Sequence, residues 1–529
     1  MLLTMYPGPA AGLVEDALAD AESRGLIGRV RAGDPTVWGA HADDAAAWTG
    51  WLRAPEEMRS HVPRIDALVA QCHREGVQHA LILGMGGSSL SPVVTQRTFG
   101  HGGGIELRVL DSTDPVAVAA ITDGVNPSRC IVLVSSKSGT TAEPLAFAAH
   151  VGAVFETSLG ATVRDSMVAV TDHGTPLALR AAHEGWRMVA ENPSDVGGRF
   201  SALTLFGLIP MALAGVPIGP LLDRAAEARE SADPPRLGVA LAALARAGRD
   251  KLTIIADPGV GSFGLWAEQL VAESLGKDGT GIIPIAGEPI GDPGEYGFDR
   301  VLLHLRVTGE NDADVRAIAD GGVPAFVLDI PDPLDVGGLY MALEIAIATA
   351  GAELGINPFD QPDVQAAKDA TLRVLRASTS GADAQSDTRE PPEAIERAIG
   401  MLETGDYMAL LAFTTPTPSG ERSLSAIRAA VRARTRAATT AGWGPRFLHS
   451  TGQLHKGGPA SGVFVQFLGP ATPDVPIPGQ DHTFGDLIRA QAQGDAEALE
   501  AHGRRVVRID LGDDPEEGLR RAARAAAGS

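Results

Sequence analysis

Residues 130–144, CIVLVSSKSGTTAEP, join an apolar run to a polar turn and then to the start of a helix. A continuous apolar run of this length is typical of a strand buried on both faces, as in a parallel sheet. Pro144 falls in the first turn of the following helix, where proline is tolerated. This strand, loop and helix predict a doubly wound α/β fold.

Similar apolar runs recur along the chain, with room between them for crossover helices. The first series lies at 79–84, 106–111, 130–135, 167–171 and 187–191. The second lies at 251–257, 281–287, 301–307 and 325–330, before an alanine-rich helix over 335–353. The two series predict two successive α/β units, each built on a parallel sheet.

These units divide the chain into four predicted parts. They are an N-terminal helical segment at 1–75, two doubly wound domains at 76–222 and 223–368, and a C-terminal α/β region at 369–529. The polar stretch 377–393, which ends in Pro-Pro-Glu, predicts a linker. In the C-terminal region we predict a helix near 423–440 and strands at 407–413, 446–450, 463–467 and 506–511.

The composition excludes several classes of protein. The 529 residues are 44% hydrophobic and 21% charged, as in globular proteins, and the net charge of −22 argues against a nucleic-acid partner. Two cysteines make no disulfide framework, and the N-terminus lacks the basic start of a signal peptide, so a cytoplasmic location is predicted.

One uncharged stretch, 202–222, is long enough to cross a bilayer. Three prolines, at 210, 217 and 220, would interrupt a spanning helix. We therefore predict a buried core helix at this position and no membrane partner.

Two polar, glycine-containing loops follow neighbouring strands of the first unit. The loop GMGGSSLSP (84–92) lacks the spacing of a nucleotide-binding P-loop. Within the loop at 135–144, Ser136, Ser138, Thr140 and Thr141 offer hydroxyls and Lys137 offers an ammonium group. A helix cap needs only one hydroxyl, so these groups favour a phosphate site at the carboxyl end of the sheet.

Two further motifs carry candidate catalytic side chains. In DVGGRFS (195–201), two glycines bring the backbone before Arg199 close to a ligand, although a surface turn is the alternative. In FGLWAEQLVAESLGK (263–277), one helical stripe places Glu273 among apolar neighbours, as a general base requires. Lys277, one turn later, offers the alternative of a simple ion pair with Glu273.

A third motif, INPFDQPDVQAAK (356–368), places Gln361 in a proline-flanked loop and Lys368 two helical turns later. An exposed helical lysine is ordinarily solvated, so this motif gains meaning only together with the others.

The five motifs, in this order over residues 75–370, resemble those of the phosphoglucose isomerase (glucose-6-phosphate isomerase) family. The resemblance implies two sugar isomerase (SIS) domains, a sugar-phosphate substrate, a homodimer with shared active sites, and no cofactor or metal. It implies the interconversion of glucose 6-phosphate and fructose 6-phosphate by proton transfer through a cis-enediol intermediate.

The resemblance also implies a role for each matching residue. The phosphate would be held by Gly87, Ser88, Ser136, Lys137, Ser138 and Thr141. Glu273 would move a proton between C1 and C2, and Arg199 would stabilise the enediolate. Gln269 and Gln361 would orient the sugar, and Lys368 would assist ring opening.

The chain departs from the family pattern in two ways. The family places a ring-opening histidine after Gly-Glu-Pro, whereas GEPIGDPGEYGFDR (287–300) has none and offers only Tyr296 and Asp299. A long stretch also follows Lys368 and contains FLHSTGQLHKGGP (447–459). Our hypothesis is that His449 or His455 replaces the missing histidine.

This arrangement is similar to the isomerase half of bifunctional transaldolase–isomerase proteins. Residues 1–75 are, however, too few for a transaldolase barrel.

Three alternative functions are compatible with parts of the sequence. The first is a non-catalytic SIS protein that binds a sugar phosphate, although such regulators add a helix-turn-helix and a basic surface that this chain lacks. The second is an isomerase that also accepts mannose 6-phosphate. The third, glutamine-dependent amidation of fructose 6-phosphate, needs an N-terminal nucleophilic cysteine, whereas the chain begins MLLTM.

Overall fold

The computed structural model describes residues 2–100, 103–363, 370–371, 373–376 and 388–528. Its fifteen strands are β1 Leu3–Tyr6, β2 His79–Leu83, β3 Glu106–Leu110, β4 Cys130–Ser135, β5 Met167–Asp172, β6 Met188–Asn192, β7 Lys251–Ala256, β8 Ile283–Ala286, β9 Arg300–Arg306, β10 Ala325–Asp329, β11 Thr388–Arg389, β12 Tyr407–Phe413, β13 Ala438–Trp443, β14 Gly462–Leu468 and β15 Arg505–Asp510.

The α-helices described are Ala11–Ser23, Leu26–Arg31, Ala42–Ala46, Ala54–Glu57, Val62–Glu75, Gly87–Phe99, Pro115–Ala120, Ala142–Leu159, Pro176–Glu184, Leu205–Leu213, Ile218–Glu230, Asp233–Arg246, Phe263–Leu275, Asp312–Asp320, Val336–Leu354, Pro391–Gly400, Pro418–Thr435, Gly452–Gly457, Phe484–Ala501 and Pro515–Ala526.

The first sheet has the order β3-β2-β4-β5-β6, and all of its strands are parallel. Every residue of β4 is buried, which explains why this strand has an unbroken apolar sequence. The prediction of a doubly wound parallel α/β fold is therefore confirmed. The predicted domain boundaries stay predictions.

The second sheet has the order β1-β10-β9-β7-β8. Its members from β7 to β10 are parallel and lie at the predicted positions. The edge strand β1 pairs antiparallel with β10, with Leu3 opposite Leu328 and Tyr6 opposite Ala325. The predicted helical segment 1–75 contains this strand as well as its helices, and the strand was not predicted because it is short and its partner lies more than 300 residues away in the chain.

The third sheet is also entirely parallel, with the order β11-β15-β14-β12-β13. Two predictions in this region are wrong. Residues 446–450 do not form a strand, since Arg446–His449 is a 3-10 turn. The preceding helix ends at Thr435, where Arg436 adopts a left-handed φ of 64°, and β13 occupies part of the stretch predicted as helix.

The predicted linker at 377–393 is only partly described. Residues 377–387 lie outside the described residues, and a helix begins at Pro391 inside the predicted linker. Proline is favoured in the first helical turn, so Pro-Pro begins this helix and does not mark a loop.

Within the described residues, one helix, Pro333–Leu354, is long and apolar enough to cross a membrane. It is 89% buried over its most apolar window and packs against the helices Ile218–Glu230, Asp233–Arg246 and Phe263–Leu275. A helix in a protein core is surrounded by apolar groups, as a membrane helix is, and both are therefore apolar on all sides. The stretch 202–222 contains the fully buried helix Leu205–Leu213, as predicted.

An aromatic cluster joins the N-terminal helices to the rest of the molecule. Trp51 is fully buried, with its ring centroid 5.1 Å from that of Phe200 and 6.4 Å from that of Phe359. Trp38 packs edge-on against Phe359 at 5.0 Å. The cluster therefore supports two segments that hold the polar site described below.

We expect Trp51→Ala to lower the free energy of unfolding by about 3–5 kcal/mol, because it removes a large buried ring and leaves a cavity. Urea denaturation measures this change. The control Leu179→Ala removes a side chain that is 66% exposed and should change stability by less than about 0.5 kcal/mol. Equal losses in the two variants would contradict the role of the aromatic cluster.

Candidate active site

The helix Phe263–Leu275 carries two polar side chains on one buried face. Gln269 and Glu273 are one turn apart, and Gln269 Nε2 donates to Glu273 Oε2 at 2.9 Å. The same amide nitrogen donates to the carbonyl of His449 at 2.8 Å. Gln269 therefore connects this helix to the C-terminal region.

Arg199 faces Glu273 from another part of the chain. Its Nη1 lies 3.3 Å from Glu273 Oε1, and its Nε donates to Ser274 Oγ at 2.8 Å. Its Nη2 donates to the carbonyls of Pro358 (2.6 Å) and Asp360 (2.9 Å). Burial lowers the pKa of Arg199, while the carboxylates of Glu273 and Asp360 oppose that effect. A carboxylate and a guanidinium thus meet in a largely dry site.

Glycines allow three segments to approach each other here. Gly87 begins the helix Gly87–Phe99, and a Cβ on this residue would lie 1.9 Å from the carbonyl oxygen of Gly198. Gly86 has a left-handed φ of 57°, and a Cβ there would lie 2.8 Å from the carbonyl oxygen of His449. The first glycine-rich loop, the Arg199 turn and the C-terminal region therefore touch one another.

Lys277 follows Glu273 by four residues but does not pair with it. Its Nζ donates to the carbonyl of Asn357 at 2.5 Å and to Asp360 Oδ1 at 2.6 Å. Burial and the nearby Arg199 lower the pKa of Lys277 to about 7. This lysine anchors the same segment that accepts hydrogen bonds from Arg199.

The second loop presents hydroxyls and free backbone donors together. Ser136 Oγ donates to Thr141 Oγ1 at 2.9 Å, and the Ser138 and Thr140 hydroxyls lie 2.8 Å apart. Thr141 precedes the helix Ala142–Leu159 without capping it by its side chain. The first N–H groups of that helix are therefore available to an anion.

Lys137, which is predicted to hold the phosphate, has partners within the protein. Its ammonium contacts the carboxylate of Asp172 and donates to the carbonyl of Ser194 at 3.0 Å. It also lies 5.3 Å from the ring centroid of Trp48. In this arrangement the charge of Lys137 is already paired.

His449 lies beside the helix that follows the second loop. Its Nε2 is 3.0 Å from Glu143 Oε1, which also accepts a hydrogen bond from Gln491 Nε2 at 2.8 Å. Glu143 is not among the site residues predicted from the sequence. An acidic residue in the first turn of a helix is a common helix stabiliser, so its presence alone gave no functional signal.

The structure does not bring His455 to this site. Its ring is 1% exposed, and neither ring nitrogen has a hydrogen-bond partner. The ring lies 6.2 Å from Phe447 and 5.0 Å from Phe464, and burial lowers its pKa well below the usual range. Of the two candidate histidines, His449 alone is placed next to the residues above.

The remaining predicted residues have varied positions. Ser88 is buried in the first turn of its helix. Gln361 is exposed and follows Asp360 in the segment held by Arg199. Lys368 lies outside the described residues.

The segment 287–300, which lacks the family's histidine, contacts the C-terminal region. Tyr296 lies between two guanidinium groups, 5.6 Å from that of Arg300 and 5.4 Å from that of Arg432. Asp299 is 3.3 Å from the ammonium of Lys251. Both residues therefore take part in packing between elements.

Over the ranges that the structure describes, no group of three or more His, Cys, Asp or Glu side chains is placed to hold a metal ion. The absence of a metal and of a cofactor stays a prediction.

Comparison with known sequences finds a phosphoglucose isomerase family match over residues 44–221. A glucose-6-phosphate isomerase of Rubrobacter xylanophilus is 30% identical over 378 residues, which are 60% of this chain and 87% of the relative. One of Thermus thermophilus is 28% identical over 391 residues, which are 64% of this chain and 92% of the relative. The likeness to transaldolase–isomerase proteins stays a prediction.

Two solved structures are similar to this chain. A hypothetical protein from Thermus thermophilus has a TM-score of 0.61 at 26% identity, covering 71% of this chain and all of its own. A glucose-6-phosphate isomerase from Chlamydia trachomatis has a TM-score of 0.56 at 19% identity. The match covers 69% of this chain and 86% of that one. At that identity, the second likeness concerns the fold alone.

We expect Gly87→Ala to destabilise the protein by about 1–3 kcal/mol, because the new Cβ forces the Gly198 backbone away. The change in melting temperature measures this loss, and a crystal structure should show the Arg199 turn displaced. The control Gly198→Ala adds a methyl group where no atom lies within 4 Å. If both variants melt like the wild type, the close approach of the two loops is wrong.

Proposed function

The chain belongs to the phosphoglucose isomerase family, and we propose that it interconverts glucose 6-phosphate and fructose 6-phosphate. The observation that carries the proposal is the buried contact of Glu273 with Arg199 and Gln269. A protein that only binds a sugar phosphate has no need of a carboxylate held against a buried guanidinium. This pairing favours catalysis over the non-catalytic alternative.

In the proposed reaction, Glu273 removes the proton from C2 of the open-chain aldose and returns it to C1. The proton of the C2 hydroxyl moves to the C1 oxygen, so the product is the ketose isomer and no atom is gained or lost. Arg199 stabilises the negative charge that develops on the enediolate oxygens. Gln269 keeps the carboxylate in one orientation through its hydrogen bond to Oε2.

The phosphate of the substrate would bind at the second loop, where Ser136, Ser138, Thr140 and Thr141 surround the free end of a helix. The first turn of the helix Gly87–Phe99, which includes Ser88, supplies a second set of backbone donors without a side-chain cap. Lys137 would contribute by holding the loop through Asp172. Gln361 and Lys368 keep the roles implied by the resemblance.

His449 would open the sugar ring. Its Nε2 faces Glu143, so the carboxylate favours a proton on Nε2 and leaves Nδ1 to exchange a proton with the sugar. This histidine comes from the same chain, in place of the one that the segment 287–300 lacks.

We also propose a cytoplasmic location, supported by two buried and unpaired cysteines, Cys72 and Cys130. A homodimer stays a prediction from the resemblance, and an isomerase that also accepts mannose 6-phosphate stays an alternative. Neither nucleic acid nor a membrane has a part in the proposed activity.

We expect Glu273→Gln to lower kcat by at least about a hundredfold, because an amide cannot accept the C2 proton. Affinity for a phosphate-bearing competitor should change little, since the phosphate loop is separate. A coupled assay and calorimetry measure the two quantities. The control Glu227→Gln changes a carboxylate that is 68% exposed and should leave both unchanged. Wild-type kcat in Glu273→Gln would contradict the mechanism.

We expect His449→Asn to slow turnover of glucose 6-phosphate about ten- to a hundredfold, because ring opening loses its acid–base group. The loss should shrink for a four-carbon aldose phosphate, whose phosphorylated O4 prevents ring closure. His173→Asn, at a side chain that is 82% exposed, is the matched control. An equal loss for cyclic and acyclic substrates would show that His449 does not act in ring opening.

A further inference from the structure

A polar cavity lies where the second and third sheets meet. Its volume is about 290 Å³, at the lower end of the range for small-molecule sites. Gly287, which follows β8, and Trp443, which ends β13, both line it. The carboxyl ends of parallel strands are where ligands bind in this architecture, and here two sheets contribute such ends to one cavity.

Three arginines, Arg97, Arg428 and Arg446, line this cavity. The exposed carboxylate of Glu421 also lines it and accepts a hydrogen bond from Trp443 Nε1 at 2.8 Å. Arg428 is 5% exposed, and its guanidinium donates to the carbonyls of Ala286 (2.8 Å) and Thr439 (2.7 Å). In the described part of the chain, no carboxylate lies within salt-bridge distance of Arg428 or of the exposed Arg97. Arg446 also lines the cavity, but a bidentate contact with Asp111 neutralises its charge.

A buried carboxyl group faces the same space. Glu268 is 6% exposed, and neither of its oxygens has a hydrogen-bond partner among the residues described. Burial raises the pKa of Glu268 to about 8, although Arg428 and Arg446 oppose that effect. In its protonated form the group can donate as well as accept a hydrogen bond. The nearby hydroxyl of Ser262 is also buried without a partner.

From these features we propose that the cavity binds a small anion of the phosphate class, a free phosphate or a phosphate monoester, as an effector. Arg428 and Arg97 bind the anionic oxygens, and Glu268 and Ser262 satisfy its remaining donors and acceptors. None of these side chains belongs to the candidate active site.

The cavity is connected to the candidate active site by two short paths. Glu268 and Gln269 are neighbours on one helix. One side of this helix faces the cavity through Glu268, and another side carries Gln269 and Glu273. Arg446 and His449 lie in one 3-10 turn. An anion in the cavity therefore acts on the elements that hold both Glu273 and His449, and the regulatory part of the proposal rests on the proposed function.

The test uses the full chain, inorganic phosphate as the probe and fluorescence of Trp443, which lines the cavity. The Trp443→Phe variant gives the background signal. We expect Ser425→Glu, which adds a negative charge to the cavity lining, to weaken phosphate binding at least about tenfold. The control Arg422→Glu alters an exposed residue of the same helix that does not line the cavity and should bind like the wild type.

Equal phosphate affinity in wild type, Ser425→Glu and Arg97→Glu would overturn the binding site. Glycerol 1-phosphate, titrated in parallel, distinguishes the two proposed ligands. Tighter binding than that of inorganic phosphate supports a phosphate monoester, and weaker binding supports free phosphate. Melting temperatures of the variants establish that they are folded.

Kinetics test the regulatory part. Phosphate that competes with the substrate at the active site raises only the apparent KM. Phosphate in the cavity should instead change kcat at saturating sugar phosphate. This change should occur in the wild type and in Arg422→Glu, but not in Ser425→Glu. An identical kcat response in all three would overturn the effector role. A chain without isomerase activity would fail this assay in every variant, while the fluorescence titration would still detect the cavity site.

Discussion

The contact between Arg199 and Glu273 is the interaction on which the candidate site depends. Both charged groups of a buried ion pair lose their hydration. Their attraction offsets this cost only when the remaining donors and acceptors also form hydrogen bonds. Arg199 meets that condition through Ser274 and two backbone carbonyls, and Glu273 through Gln269. The pair thereby fixes one helix, one turn and the loop before Gln361 around a carboxylate with a defined orientation, which is the preorganisation that proton transfer requires.

The third sheet has a structural reason to be part of this arrangement. Arg446 joins the turn that carries His449 to Asp111, which follows β3 of the first sheet. Arg300 and Glu288, both fully enclosed and 3.0 Å apart, form a buried ion pair next to Arg432 of the C-terminal region. These charge pairs join the C-terminal region to the other two sheets, and removing one partner of such a pair would leave a buried charge uncompensated.

The sequence allowed the core strands and the order of the motifs to be predicted because these depend on local pattern. Strands such as β4 are buried on both faces and therefore show unbroken apolar runs. β13, by contrast, reads ATTAGW, with small residues directly after a long helix, whereas the aromatic Phe447 made its 3-10 turn resemble a strand. The composition of five or six residues does not distinguish a short strand from a turn or from the end of a helix.

Contacts between distant parts of the chain were beyond prediction. The charge of Lys137 is paired by Asp172, 35 residues later, and His449 meets Glu143 across 306 residues. His455, six residues from His449, shares its chemistry but is enclosed by Phe447 and Phe464. Only the fold decides which of two similar histidines faces a polar site.

The most direct test of the central claim is a crystal structure of the Glu273→Gln variant with glucose 6-phosphate bound. The account predicts the phosphate at residues 136–141, C2 next to the side chain of residue 273 with the C1 and C2 oxygens towards Arg199, and the ring oxygen near His449. A sugar phosphate that binds elsewhere, with C2 out of reach of residue 273, would contradict it.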